Sequence, residues 1–229
     1  MDRFKNILFV VEGDIHHTSL EQAVELANHN NAALRLIEIV EKPPSWAGTD
    51  TFRKSWEDTF TTYLAVRKSR LDEAASAYLN DIQISTEVVE GKLAKDVIKQ
   101  VISNQHDLVI KRASSKQQMM TRILGSHDRR LLRLCPCPVL LTKQEEVTGY
   151  SNVVAAVDFE DPLDPLKAEA NASLNRQIME LAISLAHRGG GRLDIIHVFP
   201  LFSVVPAFDG APSQSEIAAL GDAEARKSR

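Results

Sequence analysis

The sequence has few of the features that mark secreted, membrane or nucleic-acid-binding proteins. It contains only two cysteines in 229 residues, so a disulfide framework is not the source of its stability. Its 27 basic and 31 acidic residues give a net charge of −4, which excludes a strong electrostatic footprint for nucleic acid or an anionic membrane. No apolar run reaches the roughly 18 residues that span a bilayer. The amino-terminal residues lead directly into the first predicted strand, without the pattern of a signal peptide. We therefore expect a cytoplasmic protein.

Sequence motifs of catalysis are missing as well. There is no Gly-x-Ser-x-Gly elbow, no Walker loop and no paired histidine motif, so no nucleophile has an identifiable base. We therefore expect a protein that is not an enzyme and has no catalytic residue. Cys135 and Cys137 flank one proline, and no second Cys or His pair stands at the spacing of a metal site, so we expect both to be buried as small apolar residues.

Two adjacent histidines leave two interpretations open. His16 and His17 follow the first apolar run, with Asp14 nearby, which is compatible with metal binding or proton transfer. The other interpretation is a polar loop, which the scatter of seven histidines over the chain favours. We predict that the chain has no metal site.

Apolar runs alternate with helical patterns over the first 146 residues, as a parallel sheet with crossover helices requires. The apolar runs predict strands over residues 5–12, 34–40, 82–89, 107–111 and 136–141. The helical patterns begin at Thr18 or Ser19, which can cap the first helix, and cover residues 18–30, 56–80, 93–103 and 126–134, with a loop over residues 41–48. The predicted fold is therefore α/β, with a doubly wound five-stranded parallel sheet and a ligand crevice at the carboxyl ends of its strands.

The rest of the chain repeats the beginning of this pattern. Residues 4–12 return as residues 150–158, and residues 24–39 return as residues 183–198 at a spacing that is 13 residues longer. We expect these 13 extra residues in the first strand-to-helix loop of the second copy. The repeat predicts two tandem domains of one fold: a complete domain over residues 1–146 and an incomplete one over residues 147–229, which is shorter than the roughly 100–150 residues of a typical domain.

An incomplete second domain has a consequence for its surface. Two strands and one helix cannot cover a parallel sheet on both faces. We infer a natural truncation or a fragment, and we expect the uncovered apolar surface to need a partner, supplied by self-association or by pairing of the two copies within one chain. Neither nucleic acid nor a membrane is predicted as a partner.

Three sequence features together resemble a known family. They are the first strands that end in Val-Glu or Val-Asp, Gly125 and Ser126 before a short helix, and the run Leu-Leu-Arg-Leu-Cys-Pro-Cys-Pro-Val-Leu-Leu at residues 131–141. These features resemble the universal stress proteins, most closely the tandem two-domain members of the E type, with the second domain truncated here. The resemblance implies the Rossmann-like universal stress protein fold and a role in stress resistance.

The resemblance also implies where a nucleotide would bind. In ATP-binding members the loop after the fourth strand reads Gly, two residues, Gly, nine residues, Gly, then Ser or Thr, and it holds the phosphates. Gly125 and Ser126 stand at the end of this pattern, but Arg112 and Ser115 replace the two earlier glycines. A Cβ at such positions restricts the turn of the backbone and its approach to a phosphate. Glu12 stands where those members carry an aspartate that contacts the nucleoside.

These departures leave three hypotheses. We predict a non-catalytic stress protein without a cofactor, which acts through ligand or protein binding and carries a degenerate nucleotide site. The alternative is an ATP-binding switch or slow ATPase that uses Gly125, Ser126, Glu12 and Arg112, with Asp14 able to replace the missing aspartate. A third hypothesis is a half-domain that dimerises and completes its sheet from another chain. Gly125 and Ser126 are also typical of an ordinary turn with a serine N-cap.

Overall fold

The computed structural model describes residues 3–42, 50–114, 125–143, 150–158 and 165–197 of the chain. Contacts divide the chain into two units, Met1–Glu146 and Val147–Arg229. The described part of the first unit alternates strands with helices. In chain order, its elements are β1 (Asn6–Val11), α1 (His17–Asn30), β2 (Ala33–Val40), α2 (Asp50–Ser76), β3 (Ile84–Glu90), α3 (Leu93–Asn104), β4 (Leu108–Arg112), α4 (Ser126–Leu134) and β5 (Val139–Thr142).

The five strands of the first unit form one parallel sheet in the order β3-β2-β1-β4-β5. This arrangement confirms the predicted fold class. The chain moves outward in one direction from β1 through β2 to β3 and then returns to the other side of β1 for β4. The neighbouring strands β1 and β4 therefore form the topological switch point, and their carboxyl ends border the crevice in which open α/β sheets bind ligands.

The core of the first unit lies between this sheet and its helices. Leu8 of β1, Ile37 of β2 and Val109 of β4 are each fully buried, and they pack with Val97 of α3 and Leu131 of α4. A parallel strand with helices on both faces must be apolar along its whole length. The continuous apolar runs of the sequence therefore end up in the centre of the sheet.

Helices α1 and α2 of the first unit begin before their predicted first residues, whereas α4 has its predicted bounds. Helix α4 begins at Ser126 and ends at Leu134, as predicted. Helix α1 begins at His17, and the residue in its N-cap position is His16, which makes no capping hydrogen bond through its side chain. The predicted cap at Thr18 or Ser19 is wrong because Ser19 lies inside the helix and is buried, where its hydroxyl accepts a hydrogen bond of 3.1 Å from Thr142 Oγ1.

Helix α2 begins six residues before its predicted start at residue 56 and ends at Ser76 rather than near residue 80. Phe60 and Leu71 of this helix are buried, whereas Tyr63 is 46% exposed. Arg67 forms an ion pair with the buried Glu38. Most of the predicted loop over residues 41–48 lies outside the described residues.

The second unit contains β6 (Asn152–Val157), α5 (Pro165–Gly189) and β7 (Arg192–His197) in its described part, and the two strands are parallel. The pairing of β6 with β7 has the same register as the pairing of β1 with β2. The turn between helix and second strand is also the same in both units. Asn31 and Gly190 adopt left-handed conformations with φ of 48° and 60°. The next residue in each case donates its N–H over 2.9 Å to a helix carbonyl, that of Ala27 or Ala186.

The longer spacing of the second unit lies mainly in its helix. Helix α5 has 25 residues, whereas α1 has 14, so the helix accounts for 11 of the 13 extra residues. The expectation of 13 extra loop residues is therefore wrong. Pro165 stands at the first position of α5, where its fixed φ suits the helix and its missing N–H costs no hydrogen bond.

One face of the two-stranded sheet is open. Val154 is 57% exposed and Ile196 is 45% exposed, whereas their counterparts in the first unit, Leu8 and Ile37, are fully buried. The counterparts are covered by α3 and α4, and the described residues of the second unit include no equivalent of these helices. The opposite face is covered by α5, whose Ala182 and Ala186 pack against β6.

His106 is a buried histidine at the amino-terminal edge of the first sheet. Its Nδ1 lies 3.3 Å from the Asn6 carbonyl oxygen, and its Nε2 has no hydrogen-bond partner among the described residues. Burial lowers the pKa of His106 below its usual value of 6.5, and the charge of Arg35 acts in the same direction. The Asn6 carbonyl and the carboxylates of Asp107 and Glu87 oppose this shift without cancelling it.

We predict that His106 makes the first unit sensitive to acid. Because its folded-state pKa lies below 6.5, the unfolded chain binds the proton first, so the free energy of unfolding falls as the pH drops below about 6.5. Replacement His106→Leu should reduce this loss between neutral and mildly acidic pH, as measured by urea unfolding. Tryptophan fluorescence reports the first unit, since Trp46 and Trp56 are the only tryptophans of the chain.

The matched control is His29→Leu, since His29 is exposed in the last turn of α1. This change should leave the acid-induced loss of stability at least as large as in the wild type. An equal pH dependence in wild type and His106→Leu would show that burial of His106 does not couple folding to pH.

Candidate functional site

A cavity of about 270 Å³ lies at the carboxyl ends of β1 and β4. Strand β1 ends at Val11, so the next residue, Glu12, stands at the mouth of the crevice, and β4 ends at Arg112 on the other side. The parallel pairing of β1 with β4 brings the two ends to the same edge of the sheet. Polar residues that line the cavity include Glu12, Asp14, His16, Ser19, Arg112 and Ser114.

Lys111 lies beneath this cavity and is the largest polar side chain in the core. Only 1% of the Lys111 side chain is exposed, and Nζ lies 2.8 Å from Asp128 Oδ1, which is fully buried. Nζ also lies 2.6 Å from Glu12 Oε2 and donates over 3.0 Å to Ser114 Oγ and over 2.9 Å to the carbonyl oxygen of Arg112. An ammonium group has three N–H donors, and these acceptors use all of them.

Asp128 connects the segment after β4 to the start of α4. Its second oxygen, Oδ2, accepts the backbone N–H of Ser114 over 2.7 Å. Asp128 lies in the first turn of α4, where the helix dipole favours a negative charge. The Asp128 carboxylate thus adds a negative charge to the first turn of α4, near the helix terminus at which an anionic ligand would be favoured.

Glu12 completes the network from the side of β1. It accepts a hydrogen bond of 2.9 Å from Ser114 Oγ in addition to its ion pair with Lys111, and His127 Nδ1 lies 3.8 Å from its Oε1. Partial burial raises the pKa of Glu12, but the hydrogen bond and charge of Lys111 outweigh it, together with Ser114 and His127. The pKa of Glu12 therefore lies below its ordinary value, and Glu12 is ionised at neutral pH.

Arg112 and His16 form a second contact across the same cavity. The guanidinium Nη1 of Arg112 hydrogen-bonds to Nε2 of His16. Burial and the positive charge of Arg112 lower the pKa of His16, and Asp14 opposes them only in part. His16 is therefore neutral at pH 7 and can accept this hydrogen bond. A cationic partner for His16 opposes the metal-binding interpretation of this loop.

The four predicted nucleotide-site residues lie at one edge of the sheet, and two of them already have protein partners. Glu12 belongs to the Lys111 network, and Arg112 contacts His16. Ser126 is exposed as the first residue of α4, and the predicted serine cap is wrong because Gly125 holds the N-cap position. Ser115 lies outside the described residues, and whether any of the four binds a ligand stays a prediction.

Gly125 has a packing role that the sequence did not reveal. A Cβ at this position would lie 3.0 Å from Ser114 Cβ and 3.4 Å from Ser114 Oγ. These distances are tighter than ordinary van der Waals contact. The glycine lets the start of α4 approach the segment after β4, which Asp128 then binds.

Sequence reasoning missed the two central residues of the site, Lys111 and Asp128. Lys111 lies inside the sheet, although a lysine at the end of a strand is usually solvated. The signal for Lys111 was its place inside an apolar strand, since β4 is buried from Leu108 to Lys111. The sequence feature that points to Asp128 is an acidic residue in the first turn of a helix, shortly after a glycine. The two residues are 17 positions apart, so no local pattern pairs them.

A second cavity of about 470 Å³ lies at the carboxyl end of β2. Gly13, Glu38, Phe60, Tyr63 and Arg67 are among its lining residues. Arg67 is paired with Glu38 and donates a hydrogen bond of 2.6 Å to the Gly13 carbonyl oxygen. The hydrogen bond to Glu38 raises the pKa of Arg67 despite partial burial, so the guanidinium that lines this cavity stays charged.

The described residues contain neither a metal-binding cluster nor a helix that could span a membrane. No group of three or more His, Cys, Asp or Glu side chains comes together there in a way that could hold a metal ion. None of the helices in these ranges combines the length and the apolar character needed to cross a bilayer.

Comparison with known proteins identifies the family. The family model described as the universal stress protein family matches residues 3–143. The chain belongs to the universal stress protein family. The matched residues contain the nine described elements of the first unit and the residues of the Lys111 network.

Individual universal stress proteins resemble the chain over different lengths. Universal stress protein E of Escherichia coli K12 is 28% identical over 153 residues, which cover 64% of this chain and 47% of that protein. The universal stress protein E homolog of Haemophilus influenzae is 24% identical over 217 residues, which cover 90% of this chain and 68% of that protein. The chain spans about half the length of the Escherichia coli relative that it matches.

A solved structure shows the same fold as this universal stress protein. It is that of a functionally unknown protein from Pseudomonas aeruginosa PAO1, with a TM-score of 0.63 and 20% sequence identity. The match covers 99% of this chain and 70% of that protein. At this identity the likeness concerns the fold alone.

We predict that Asp128 is essential for the stability of the first unit. Replacement Asp128→Asn keeps the shape of the side chain but leaves the buried Lys111 with one carboxylate partner. Breaking a buried ion pair from one side typically costs about 3 kcal/mol or more, so we expect a loss of about 3 kcal/mol in the free energy of unfolding. Urea unfolding followed by tryptophan fluorescence measures this change.

The control is Asp72→Asn, which removes the same charge from a pair on the surface of α2. Asp72 lies 2.5 Å from Lys68, and both side chains are largely exposed. Because exposed pairs contribute at most about 1 kcal/mol, this variant should remain close to the wild type. Equal losses in the two variants would contradict the central role of Asp128.

Proposed function

We propose that this chain is a stress-response protein that works by binding rather than by turnover, and that its first unit carries a degenerate nucleotide site. Membership of the universal stress protein family supports the stress-response role. The observation that carries the proposal for the site is the ion-pair network of Lys111, Asp128 and Glu12. This network joins the elements between which ATP-binding members hold the phosphates.

The charge of the network supports this proposal. Its two carboxylates and one ammonium group sum to one net negative charge, and the Lys111 ammonium is buried beneath them. A triphosphate placed beside Glu12 and Asp128 would meet negative charge, and like charges in a partly buried site repel strongly. The cation of this network already has its partners, so it does not offer a free phosphate ligand.

Few other groups in the crevice could contact a phosphate. Arg112 replaces a glycine of the phosphate loop and is directed to His16, so a nucleotide would have to displace that contact. The Asp128 carboxylate in the first turn of α4 accepts the Ser114 N–H, so this backbone donor of the segment after β4 is already used. The cavity of about 270 Å³ lies slightly below the roughly 300–1,000 Å³ typical of small-molecule sites. These features favour a smaller ligand or a protein partner over ATP.

The absence of turnover is a proposal that rests on the same residues. Ser114 is the hydroxyl at the centre of the site, but its Oγ donates to Glu12 and lies against Lys111. His127 is 3.8 Å from Glu12, and no hydrogen bond from Ser114 to a histidine is present among the described residues. Ser114 therefore lacks the histidine base that activates a serine nucleophile. The cytoplasmic location stays a prediction.

We also propose that the second unit is the opening part of a second copy of the fold, as in the tandem E-type members. The identical strand register and the identical turn at Asn31 and Gly190 support this assignment. The open sheet face around Val154 and Ile196 supports self-association or pairing of the two copies, because an apolar sheet face of this kind requires cover.

The site proposal predicts no binding of ATP with Mg²⁺ up to millimolar concentration. Isothermal titration calorimetry of the wild-type chain measures this directly. The physical reason is that Lys111 is already paired with two protein carboxylates, which leave a net negative charge beside the crevice. Micromolar binding would contradict the degenerate site.

Two variants decide what such binding would mean. Arg112→Gln removes the cation at the substituted glycine position, and Arg130→Gln removes an exposed cation on α4 as its control. Micromolar binding that is lost in Arg112→Gln and kept in Arg130→Gln would establish the alternative, an ATP-binding switch or slow ATPase.

The partner proposal predicts that the molecular mass rises with protein concentration. Light scattering coupled to size exclusion measures this mass. Replacement Val154→Glu places a charge on the open face and should abolish the concentration dependence. Val66→Glu, at a similarly exposed valine on α2, should leave it unchanged. A constant monomer mass of the wild type would contradict self-association and leave pairing within the chain.

A further inference from the structure

The two cysteines of the chain form a close pair at the junction of α4 and β5. Cys135 follows the last residue of α4, and its N–H donates over 2.9 Å to the Leu131 carbonyl oxygen. The sulfur atoms of Cys135 and Cys137 lie 3.6 Å apart, within hydrogen-bond distance. Both side chains pack against the core cluster of the first unit, yet both are partly exposed, so the expectation that they are buried is wrong.

The hydrogen bond between the two sulfur atoms makes them chemically different. Donation from the Cys137 thiol lowers the pKa of Cys135 to about 7, although partial burial opposes this shift and the Cys137 N–H assists it. The same bond raises the pKa of Cys137, and burial acts in the same direction. Cys135 is therefore the more readily ionised of the two thiols.

We propose that Cys135 and Cys137 form an oxidisable dithiol that reacts with low-molecular-mass disulfides, with Cys135 as the attacking thiol and Cys137 as the resolving thiol. A thiolate whose pKa is near the ambient pH is the most effective attacking group in such exchange. The 3.6 Å separation leaves about 1.6 Å to close to the S–S bond length of about 2.05 Å.

The reaction has two exchange steps. The Cys135 thiolate attacks one sulfur of the small disulfide, a mixed disulfide forms, and one small thiolate leaves. The Cys137 sulfur then attacks the Cys135 sulfur, its proton passes to the departing group, and the second small thiol leaves. Two protein thiols are thereby oxidised to one disulfide, and one small disulfide is reduced to two thiols.

Other readings of the pair are less well supported. A metal site needs further ligands, and no third His, Cys, Asp or Glu joins the two sulfur atoms among the described residues. A role as core packing alone does not require exposure or a mutual hydrogen bond. The pair also lies at the opposite end of α4 from Asp128, so its chemistry is separate from the Lys111 network.

The test uses dithiobis-nitrobenzoate as the small disulfide and intact-mass measurement of the complete chain. Because the chain has no other cysteine, every thiol signal comes from this pair. The wild type should release two thionitrobenzoates and lose the mass of two hydrogen atoms without retaining an adduct. Cys137→Ser should release one thionitrobenzoate and retain one adduct on Cys135.

The assignment of roles has its own measurement. Cys135→Ser should react at least tenfold more slowly at pH 7 than Cys137→Ser. The midpoint of Cys135 alkylation against pH should move upward in Cys137→Ala, and Cys137→Ser should move it less, because a serine hydroxyl can still donate to the Cys135 sulfur. A purely structural role of Cys137 would leave this midpoint unchanged.

Three outcomes would overturn the proposal. One is a wild type that retains an adduct on each cysteine, which would mean that the two sulfur atoms do not join. Another is a disulfide-linked dimer on a non-reducing gel in place of the internal bond. The third is equal reactivity of Cys135→Ser and Cys137→Ser, which would remove the distinction between attacking and resolving thiol.

Discussion

The buried ammonium group of Lys111 is the constraint on which the rest of the first unit depends. A charge with 1% exposure is stable only if its hydrogen-bond donors are satisfied and its charge is compensated. Asp128, Glu12, Ser114 and the Arg112 carbonyl meet this requirement. They come from α4, from the residue after β1, from the segment after β4 and from the end of β4. The network therefore fixes how these elements approach one another at the switch point of the sheet.

The same network sets the charge at the crevice of this universal stress protein. The sheet order and the crevice at the carboxyl ends of β1 and β4 belong to the fold, and they position polar side chains at one edge. What a crevice binds is decided by the charges within it. Here Asp128 in the first turn of α4 binds the Ser114 N–H, and Gly125 allows the close packing of these two segments. The family fold thus contains a buried ion-pair network at its crevice.

The second unit shows the same local rules in a different setting. Its two strands pair in the register of β1 and β2, because the apolar residues and the left-handed turn recur at matching positions. Burial does not recur. Leu8 is fully buried, whereas its counterpart Val154 is 57% exposed, because cover by α3 and α4 is a tertiary property that no strand specifies by itself.

The sequence by itself determined the order of elements, the five-stranded parallel sheet and the bounds of α4, because apolar periodicity and turn residues act locally. It also brought Glu12, Arg112, Gly125 and Ser126 to one edge of the sheet, since parallel strands share that edge. Only the tertiary structure decided the pairs Lys111 with Asp128, Arg67 with Glu38 and Arg112 with His16. Their members lie 17, 29 and 96 positions apart in the sequence. No local pattern relates residues at such separations, so only the folded chain shows which side chains are partners.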